Sequence, residues 1–233
     1  MISIVIPAYN QADVLEKSVK KLADFLNKYK YKYEILIAED GSTDGTYEIA
    51  SRLAARNPRI KVLHSDERRG KGGAIKHAFS KSKGDVLIFT DADLSAQMSS
   101  LPKFVEKIEH GYDICIGSRF IPSSRIERSF SRNLASRVYN LLAKILFNTK
   151  INDLQCGCKA FKKETLPILL SVKDNGWTWD TEVLLLAEKR KLKICQFPIT
   201  WIQSKKSKVN LFKESFAFFV NLIKLRYDFS RRK

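Results

Sequence analysis

Asp85-Val86-Leu87-Ile88-Phe89-Thr90-Asp91-Ala92-Asp93-Leu94-Ser95 is the stretch on which the fold turns. Val86 to Phe89 is a short apolar run of strand length, and it ends in two carboxylates. In open α/β sheets ligands bind beyond the carboxyl ends of the strands, so Asp91 and Asp93 stand where a site is expected. They are two residues apart, and on a continuing strand both side chains would face one side. Converging carboxylates offer hard oxygen ligands to Mg²⁺ or Mn²⁺, cations that also accept phosphate oxygens. The same pair can equally make a turn or cap the next helix, so its surroundings decide.

Outward toward the N-terminus, Ile2 to Pro7 is a near-continuous apolar strand, ended by Ala8-Tyr9-Asn10. A helix follows with Val14, Leu15, Val19, Leu22, Phe25 and Leu26 on one face. Tyr33 to Ala38 reads as a second strand, running into the acidic turn Glu39-Asp40-Gly41-Ser42-Thr43-Asp44-Gly45. Thr43 or Asp44 suits the cap of the next helix, which Asn57-Pro58 breaks. Ile60 to Leu63 is a third strand. The basic, glycine-rich Arg68-Arg69-Gly70-Lys71-Gly72-Gly73 reads as a loop before a helix from about Ala74 to Ser82. Beyond the two aspartates come a helix over about Ser99 to Glu109 and a strand over about Tyr112 to Gly117. This alternation predicts an α/β fold with a mostly parallel sheet and helices on both faces. The loops at 7–10, 39–42 and 91–95 then share one sheet edge, with Gly70–Gly73 nearby.

After about Arg119 the pattern is less regular. Leu134 to Phe147 reads as a helix with Val138, Leu141, Leu142, Ile145 and Leu146 apolar. Another helix, about Thr181 to Lys189, follows Trp177-Thr178-Trp179-Asp180, and Ile194 to Trp201 reads as a final strand. Val209 to Lys233 reads as a helix striped by Phe212, Phe216, Phe219, Val220, Ile223 and Tyr227 and flanked by Lys213, Lys224, Arg226 and Arg231-Arg232-Lys233. The expected organisation is one domain over 1–208, in parts 1–120 and 121–208, with a basic amphipathic C-terminal helix over 209–233. Apolar faces bordered by cations suit a membrane interface, although both stripes can also pack into a core or a partner subunit.

The net charge of +17 calls for an anionic partner: nucleic acid, a phosphorylated substrate or an anionic membrane surface. Nucleic acid is disfavoured, because the acids at 39–40 and 91–93 would repel phosphate without a metal and no nucleic-acid motif is present. The cysteines (Cys115, Cys156, Cys158, Cys195) lack zinc-finger spacing and read as buried or inert thiols. No signal-peptide pattern and no apolar run of spanning length occur. The expected location is cytoplasmic, peripheral to the cytosolic face of a membrane.

Each loop has a chemical use. The Asp40 carboxylate can accept the imide N–H of uracil or an N–H of guanine, Tyr9 can stack on a base, and Lys71 can place a cation on phosphate. With a metal at Asp91 and Asp93, these features describe a nucleoside-diphosphate site in which the cation neutralises a departing diphosphate. A sugar on that diphosphate would be open to attack at its anomeric carbon.

Ser3-Ile4-Val5-Ile6-Pro7-Ala8-Tyr9-Asn10, Glu39-Asp40-Gly41-Ser42-Thr43-Asp44-Gly45-Thr46, Gly70-Lys71-Gly72-Gly73-Ala74 and Thr90-Asp91-Ala92-Asp93 resemble the inverting glycosyltransferase family 2, of GT-A fold. The second half is similar to polyprenyl-phosphate hexosyltransferases through Gly117-Ser118-Arg119-Phe120, the Arg128/Arg132 region, Asp153-Leu154-Gln155-Cys156-Gly157-Cys158-Lys159-Ala160-Phe161, Trp179-Asp180-Thr181-Glu182, and Trp201 with Ser207-Lys208-Val209. The pattern is nearer dolichyl-phosphate β-glucosyltransferases than mannosyl enzymes, which typically carry glutamine where this chain has Ser95. Gly157-Cys158-Lys159 replaces the usual G-F-K. The resemblance implies a GT-A Rossmann-like three-layer sandwich, a UDP-glucose donor and a polyprenyl (dolichyl) phosphate acceptor. GDP-mannose or another hexose donor, and a bacterial-type undecaprenyl acceptor, are the alternatives. It implies nucleotide-sugar contacts from Pro7, Ala8, Tyr9, Asp40, Gly41, Lys71, Asp91 and Ala92, and Mg²⁺ or Mn²⁺ on Asp91 and Asp93. Asp93, Arg119 and Arg132 are the implied catalytic residues. Arg119, Arg128, Arg132 and Lys208 are expected on phosphate, since guanidinium matches it bidentately. Asp180 and Glu182 would orient sugar hydroxyls or, alternatively, start a helix. A phosphate acceptor is already anionic near neutral pH, with a second pKa of about 6 by analogy with phospho-amino acids, so no essential catalytic base is expected.

Overall fold

The computed structural model describes residues 1–203 and 211–231, and in the last helix the side chains of Phe218 and of residues 220–229. In chain order the elements are β1 (Ile2–Ala8), α1 (Ala12–Lys28), β2 (Tyr33–Glu39), α2 (Thr46–Arg56), β3 (Ile60–Leu63), α3 (Lys71–Lys81), β4 (Val86–Thr90), α4 (Leu101–Glu109), β5 (Ile114–Ser118), β6 (Arg125–Glu127), α5 (Phe130–Phe147), β7 (Cys158–Lys162), α6 (Leu166–Ser171), α7 (Trp179–Lys189), β8 (Ile194–Pro198), β9 (Thr200–Ile202) and α8 (Leu211–Arg231). The main sheet runs β3-β2-β1-β4-β7-β5-β8, while β6 and β9 make a separate parallel pair. All strands of the main sheet run one way except β7, which lies antiparallel between β4 and β5. The expected three-layer α/β architecture is therefore present, and the 1–120 and 121–208 parts share one sheet.

Alternation along the strands builds the layers, because successive side chains leave opposite faces. Ile2, Ile4, Ile6, Val86 and Ile88 join α1, α2 and α4 in one core, while Val5, Leu36, Leu87 and Phe89 join α3, α5, α6 and α7 in the other. The second core is aromatic under the sheet edge. Trp179 stands edge-on to Phe89 and Phe161, with centroids 5.9 and 6.4 Å away. Burying rings of this size supplies much of the force holding the layers together.

Several expected boundaries shift for physical reasons. The glycine-rich segment is not a loop: α3 begins at Lys71, and Gly72 and Gly73 donate N–H bonds to the carbonyls of Gly176 and Asn175 at 3.1 and 3.0 Å. α5 begins at Phe130, four residues before the apolar face at Leu134. The expected strand 194–201 splits into β8 and β9, which belong to different sheets on either side of Ile199. α8 packs on α5 through Phe218 on Tyr139 and Phe229 on Phe147, and Leu222 and Leu225 are buried. Of the expected stripe, Val220, Ile223 and Tyr227 are exposed, while Phe212, Phe216 and Phe219 lie outside the described side chains.

A Cβ at Gly72 would sit 2.4 Å from the Cβ of Trp179, so the glycine lets α3 and α7 approach closely. Gly72→Ala is expected to cost about 1–3 kcal/mol by overpacking and to lower Tm by several degrees. An unchanged melting curve would mean that the two helices do not meet this tightly in solution.

Candidate active site

β1, β2, β4 and β5 run parallel in the sheet, so their carboxyl ends bring Tyr9, Asp40, Asp91 and Arg119 to one edge. β7 runs the other way and begins at Cys158 opposite Thr90, which puts Gly157 at the same edge. A cavity of about 900 Å³ opens there. Its lining includes Pro7, Ala8, Tyr9, Asp40, Lys71, Asp91, Ala92, Asp93, Arg119, Arg128, Arg132 and Asp180. Most of the expected site residues thus converge. Gly41 and Glu182 do not line the cavity, and Lys208 lies outside the described residues.

At one end, two turns lock together. Asn10, with φ of 53°, takes Ser42 Oγ on its N–H and offers Oδ1 to the Thr43 N–H at 2.9 Å. Asp40 is buried, and its carboxylate accepts the N–H groups of Arg69 and Gly70 at 2.7 and 3.0 Å. It therefore ties down the segment before α3 as well as facing the cavity. Arg68 from that segment lies 3.8 Å over the Tyr9 ring, a cation–π contact on one face of the residue expected to stack on a base. Gly41, at φ of 68°, makes the turn under this segment, and a Cβ there would meet the Asp66 carbonyl at 3.2 Å. Beside it the buried Glu39 accepts the Ser42 N–H at 2.7 Å and pairs with His64 Nδ1, while His64 Nε2 reaches Asp66 at 3.1 Å. The Glu39 bond first, then Asp66, holds the His64 pKa above its ordinary value against burial.

The two central aspartates are held differently. Asp91 pairs with Lys71 Nζ at 2.7 Å, and its own N–H bonds to the Gly157 carbonyl at 3.1 Å. Asp93 accepts the Ser95 N–H at 3.0 Å and the Ser95 hydroxyl at 2.6 Å. Ser95 thus positions Asp93. Leu94 between them sits at φ of 50°, strain of the kind found at functional turns. Burial and then the charge of Asp91 hold the Asp93 pKa above its ordinary value. Burial opposes the charge of Lys71, but Asp91 and then Asp180 outweigh it, and its pKa is raised.

These residues fit a divalent cation. Two carboxylates meet in one cavity, and the absence of a side chain at Gly157 makes room for one of them: a Cβ there would stand 1.7 Å from Asp91 Oδ2. Among the described residues no third Asp, Glu, His or Cys completes a cluster, so other positions on the ion would fall to water and to ligand oxygens.

Next come the cations. Arg119 is buried, with Nε and Nη2 on the two Asp153 oxygens at 2.7 and 2.8 Å. Arg128 donates to Ser136 Oγ at 3.2 Å, and its buried Nε has no hydrogen-bond partner among the described residues. Burial and the neighbouring Arg119 charge pull its pKa down to about 10, which still leaves it charged at neutral pH. Arg132 joins them on the lining. Asp180 faces the cavity and pairs with the fully buried Lys159 at 2.8 Å. Glu182 lies off the lining, and its carboxylate accepts the N–H groups of Lys173 and Asp174 at 3.3 and 3.1 Å. Past the arginines the lining turns apolar, with Leu134, Val138 and Leu142 of α5 facing Phe218 and Leu222 of α8.

The sequence alone assigns no role to Asp153, Lys159 or Trp177, although the first two brace Arg119 and Asp180 and the third lines the cavity. Lys159 carried a signal, being a lysine among Cys158, Ala160 and Phe161. Such a charge in an apolar strand needs a buried partner. Trp177 had no such signal; its ring lies 4.8 Å from Lys71 Nζ.

A largely parallel sheet with helices on both faces is the GT-A architecture, and solved structures share this fold. Mannosyl-3-phosphoglycerate synthase from Rubrobacter xylanophilus aligns with a TM-score of 0.74 at 17% identity, over 100% of this chain and 76% of that one. Glucosyl-3-phosphoglycerate synthase from Mycobacterium tuberculosis, in a complex with Mn²⁺, UDP and glucosyl-3-phosphoglycerate, aligns with 0.64 at 19%, over 97% and 78%. Residues 3–167 match the model of glycosyl transferase family 2, and the chain belongs to that family. It is 39% identical over 217 residues to glycosyltransferase AglD of Haloferax volcanii, covering 91% of this chain but only 35% of that protein. It is 30% identical to the dolichyl-phosphate beta-glucosyltransferase of Dictyostelium discoideum, over 98% of this chain and 74% of that one. The family expected from the four motifs is borne out.

An unfolded histidine titrates near 6.5, and His64 titrates higher in the fold. The stabilisation from its pairs is complete below about pH 6.5 and is lost as pH rises through the folded pKa. Tm should therefore decline over that range in the wild type and decline less in His64→Gln. Parallel declines would exclude His64 as the source.

Proposed function

We propose that this family 2 enzyme transfers glucose from UDP-glucose to a polyprenyl phosphate of the dolichyl type, with inversion, at the cytosolic surface of a membrane. The observation that carries the reading is the order of chemistry along one cavity: base-facing turns, paired carboxylates, arginines, then an apolar groove. A nucleotide sugar needs the first two, a lipid phosphate the last two. Relatives named dolichyl-phosphate beta-glucosyltransferase from Dictyostelium discoideum and Saccharomyces cerevisiae, each covered over 74% of its length, support the same acceptor and sugar.

In this mechanism Mg²⁺ or Mn²⁺ on Asp91 and Asp93 would supply Lewis-acid neutralisation of the diphosphate. Ser95 keeps Asp93 turned toward the site, and Lys71 adds a positive charge beside Asp91. Asp40 and Tyr9 receive the base, and Asp180, steadied by Lys159, meets sugar hydroxyls. Arg128 and Arg132 hold the acceptor phosphate, while Arg119, braced by Asp153, offers its remaining terminal nitrogen. A phosphate oxygen attacks the anomeric carbon as the bond to the diphosphate breaks on the opposite side. The acceptor arrives ionised, so the residues orient it and no side chain removes a proton.

No described helix is long and apolar enough to cross a membrane. Contact with one would fall to Phe130, Leu134, Leu141 and Ile145 of α5 and to Val220, Ile223 and Tyr227 of α8, all exposed. The +17 charge adds attraction to anionic lipid.

Thermal shift with UDP, GDP and CDP, each with and without Mn²⁺, tests the donor end. A UDP shift that needs Mn²⁺ and disappears in Asp91→Asn is expected. A shift with GDP alone would reassign the donor. Labelled UDP-glucose with dolichyl phosphate in detergent tests the acceptor end. Arg128→Ala should reduce transfer by about 10- to 100-fold, the equivalent of losing a charge-assisted contact, and leave the UDP shift intact. Absence of labelled lipid from the folded wild type with Mn²⁺ would refute the acceptor assignment.

A further inference from the structure

Cys115 on β5 and Cys195 on β8 are direct partners in the parallel register, and their sulfurs lie 2.7 Å apart. Adjacent strands are about 4.8 Å apart, inside the Cα range of about 4.4–6.8 Å that a disulfide spans. The backbone therefore need not move for the two sulfurs to bond. The thiols differ in access: Cys115 is fully buried and Cys195 is partly exposed. They differ in acidity in the same sense, because their contact lowers the pKa of Cys195 and raises that of Cys115. The other pair offers no rival. Cys156 and Cys158 are buried, and burial pushes the Cys156 thiol up to about 12.

We infer that Cys115 and Cys195 are a site of oxidative modification, closing to a disulfide that clasps β8 to β5. With a peroxide as oxidant, the Cys195 thiolate attacks a peroxide oxygen, giving a sulfenic acid and, after protonation, one water. The Cys115 sulfur then attacks the Cys195 sulfur. An S–S bond forms, the S–O bond breaks, and the hydroxyl leaves with the Cys115 proton as a second water. The two thiols lose two electrons and two protons, and hydrogen peroxide is reduced to two waters.

The clasp has a structural consequence. β8 is the last strand of the main sheet, and among the described strands it pairs within that sheet with β5 alone. β5 leads directly to Arg119, and β8 leads through Ile199 into β9, which carries Trp201 on the cavity lining. A bond between residues 80 apart also restrains the unfolded chain strongly.

The test treats the folded, reduced chain with hydrogen peroxide, then alkylates it under denaturing conditions for mass analysis. The expected result is that two of the four cysteines escape alkylation and that one peptide joins residues 115 and 195 within a single chain. Tm should rise by about 5 °C or more on oxidation and return with dithiothreitol. Cys195→Ser should show neither the joined peptide nor the rise. Alkylation of all four thiols, a sulfinic acid at Cys195 without a joined peptide, or a link between two chains would each overturn the inference.

Discussion

Acids gather at the carboxyl edge of the sheet, and most of them are answered by a donor from elsewhere in the chain. Lys71 of α3 answers Asp91 after β4, Lys159 of β7 answers Asp180 of α7, and Arg119 after β5 answers Asp153 before β7. Arg69 and Gly70 answer Asp40 with backbone N–H groups. Two of the ion pairs are nearly or fully buried, where removal of one partner costs about 3–5 kcal/mol. That is a large share of the roughly 5–15 kcal/mol by which a domain is stable. The pairs therefore fix where α3, β7 and α7 sit against β4 as well as setting the charge of the cavity.

This arrangement sorts the cavity by charge. Asp93 makes no ion pair among the described residues, and its described hydrogen bonds are to Ser95. Arg128 makes no ion pair among the described residues, and its buried Nε has no hydrogen-bond partner among them. Between them the compensated pairs act as nearly neutral walls. A ligand with a cation at one end and an anion at the other would complement both points, and the apolar groove beyond Arg128 extends the match to a hydrocarbon chain.

Much of this was readable from the chain. β1, β2 and β4 are short apolar runs, and each is followed by a residue that reaches the site: Tyr9, Asp40 and Asp91. The acids were visible for the same reason, since a carboxylate straight after a buried strand stands out. Their partners were not visible, because pairing across the fold leaves no local trace: Asp153 lies 34 residues from Arg119 and Asp180 lies 21 from Lys159. The start of α3 was misplaced because three glycines in four residues argue against a helix. The carbonyls of Asn175 and Gly176 override that preference by accepting its first N–H groups. β7 is hard to see because Cys158-Lys159-Ala160-Phe161-Lys162 lacks the composition of a buried strand until Asp180 neutralises Lys159.

The reversed strand also dictates how the sheet can be assembled. Among the described strands, β5 and β8 pair with none of the β3-β2-β1-β4 group, and β7 joins them to it. During synthesis, β5 emerges well before β7 and has no strand to dock on. The growing chain therefore carries an open edge on β4 until residues 158–162 appear. Closure then joins β5 to the β4 edge through β7, across about forty intervening residues, a non-local step that polymer entropy makes slow, and β8 can add only afterwards. The exposed edge of β4 during that interval is the point at which the nascent chain is most open to pairing with a neighbour.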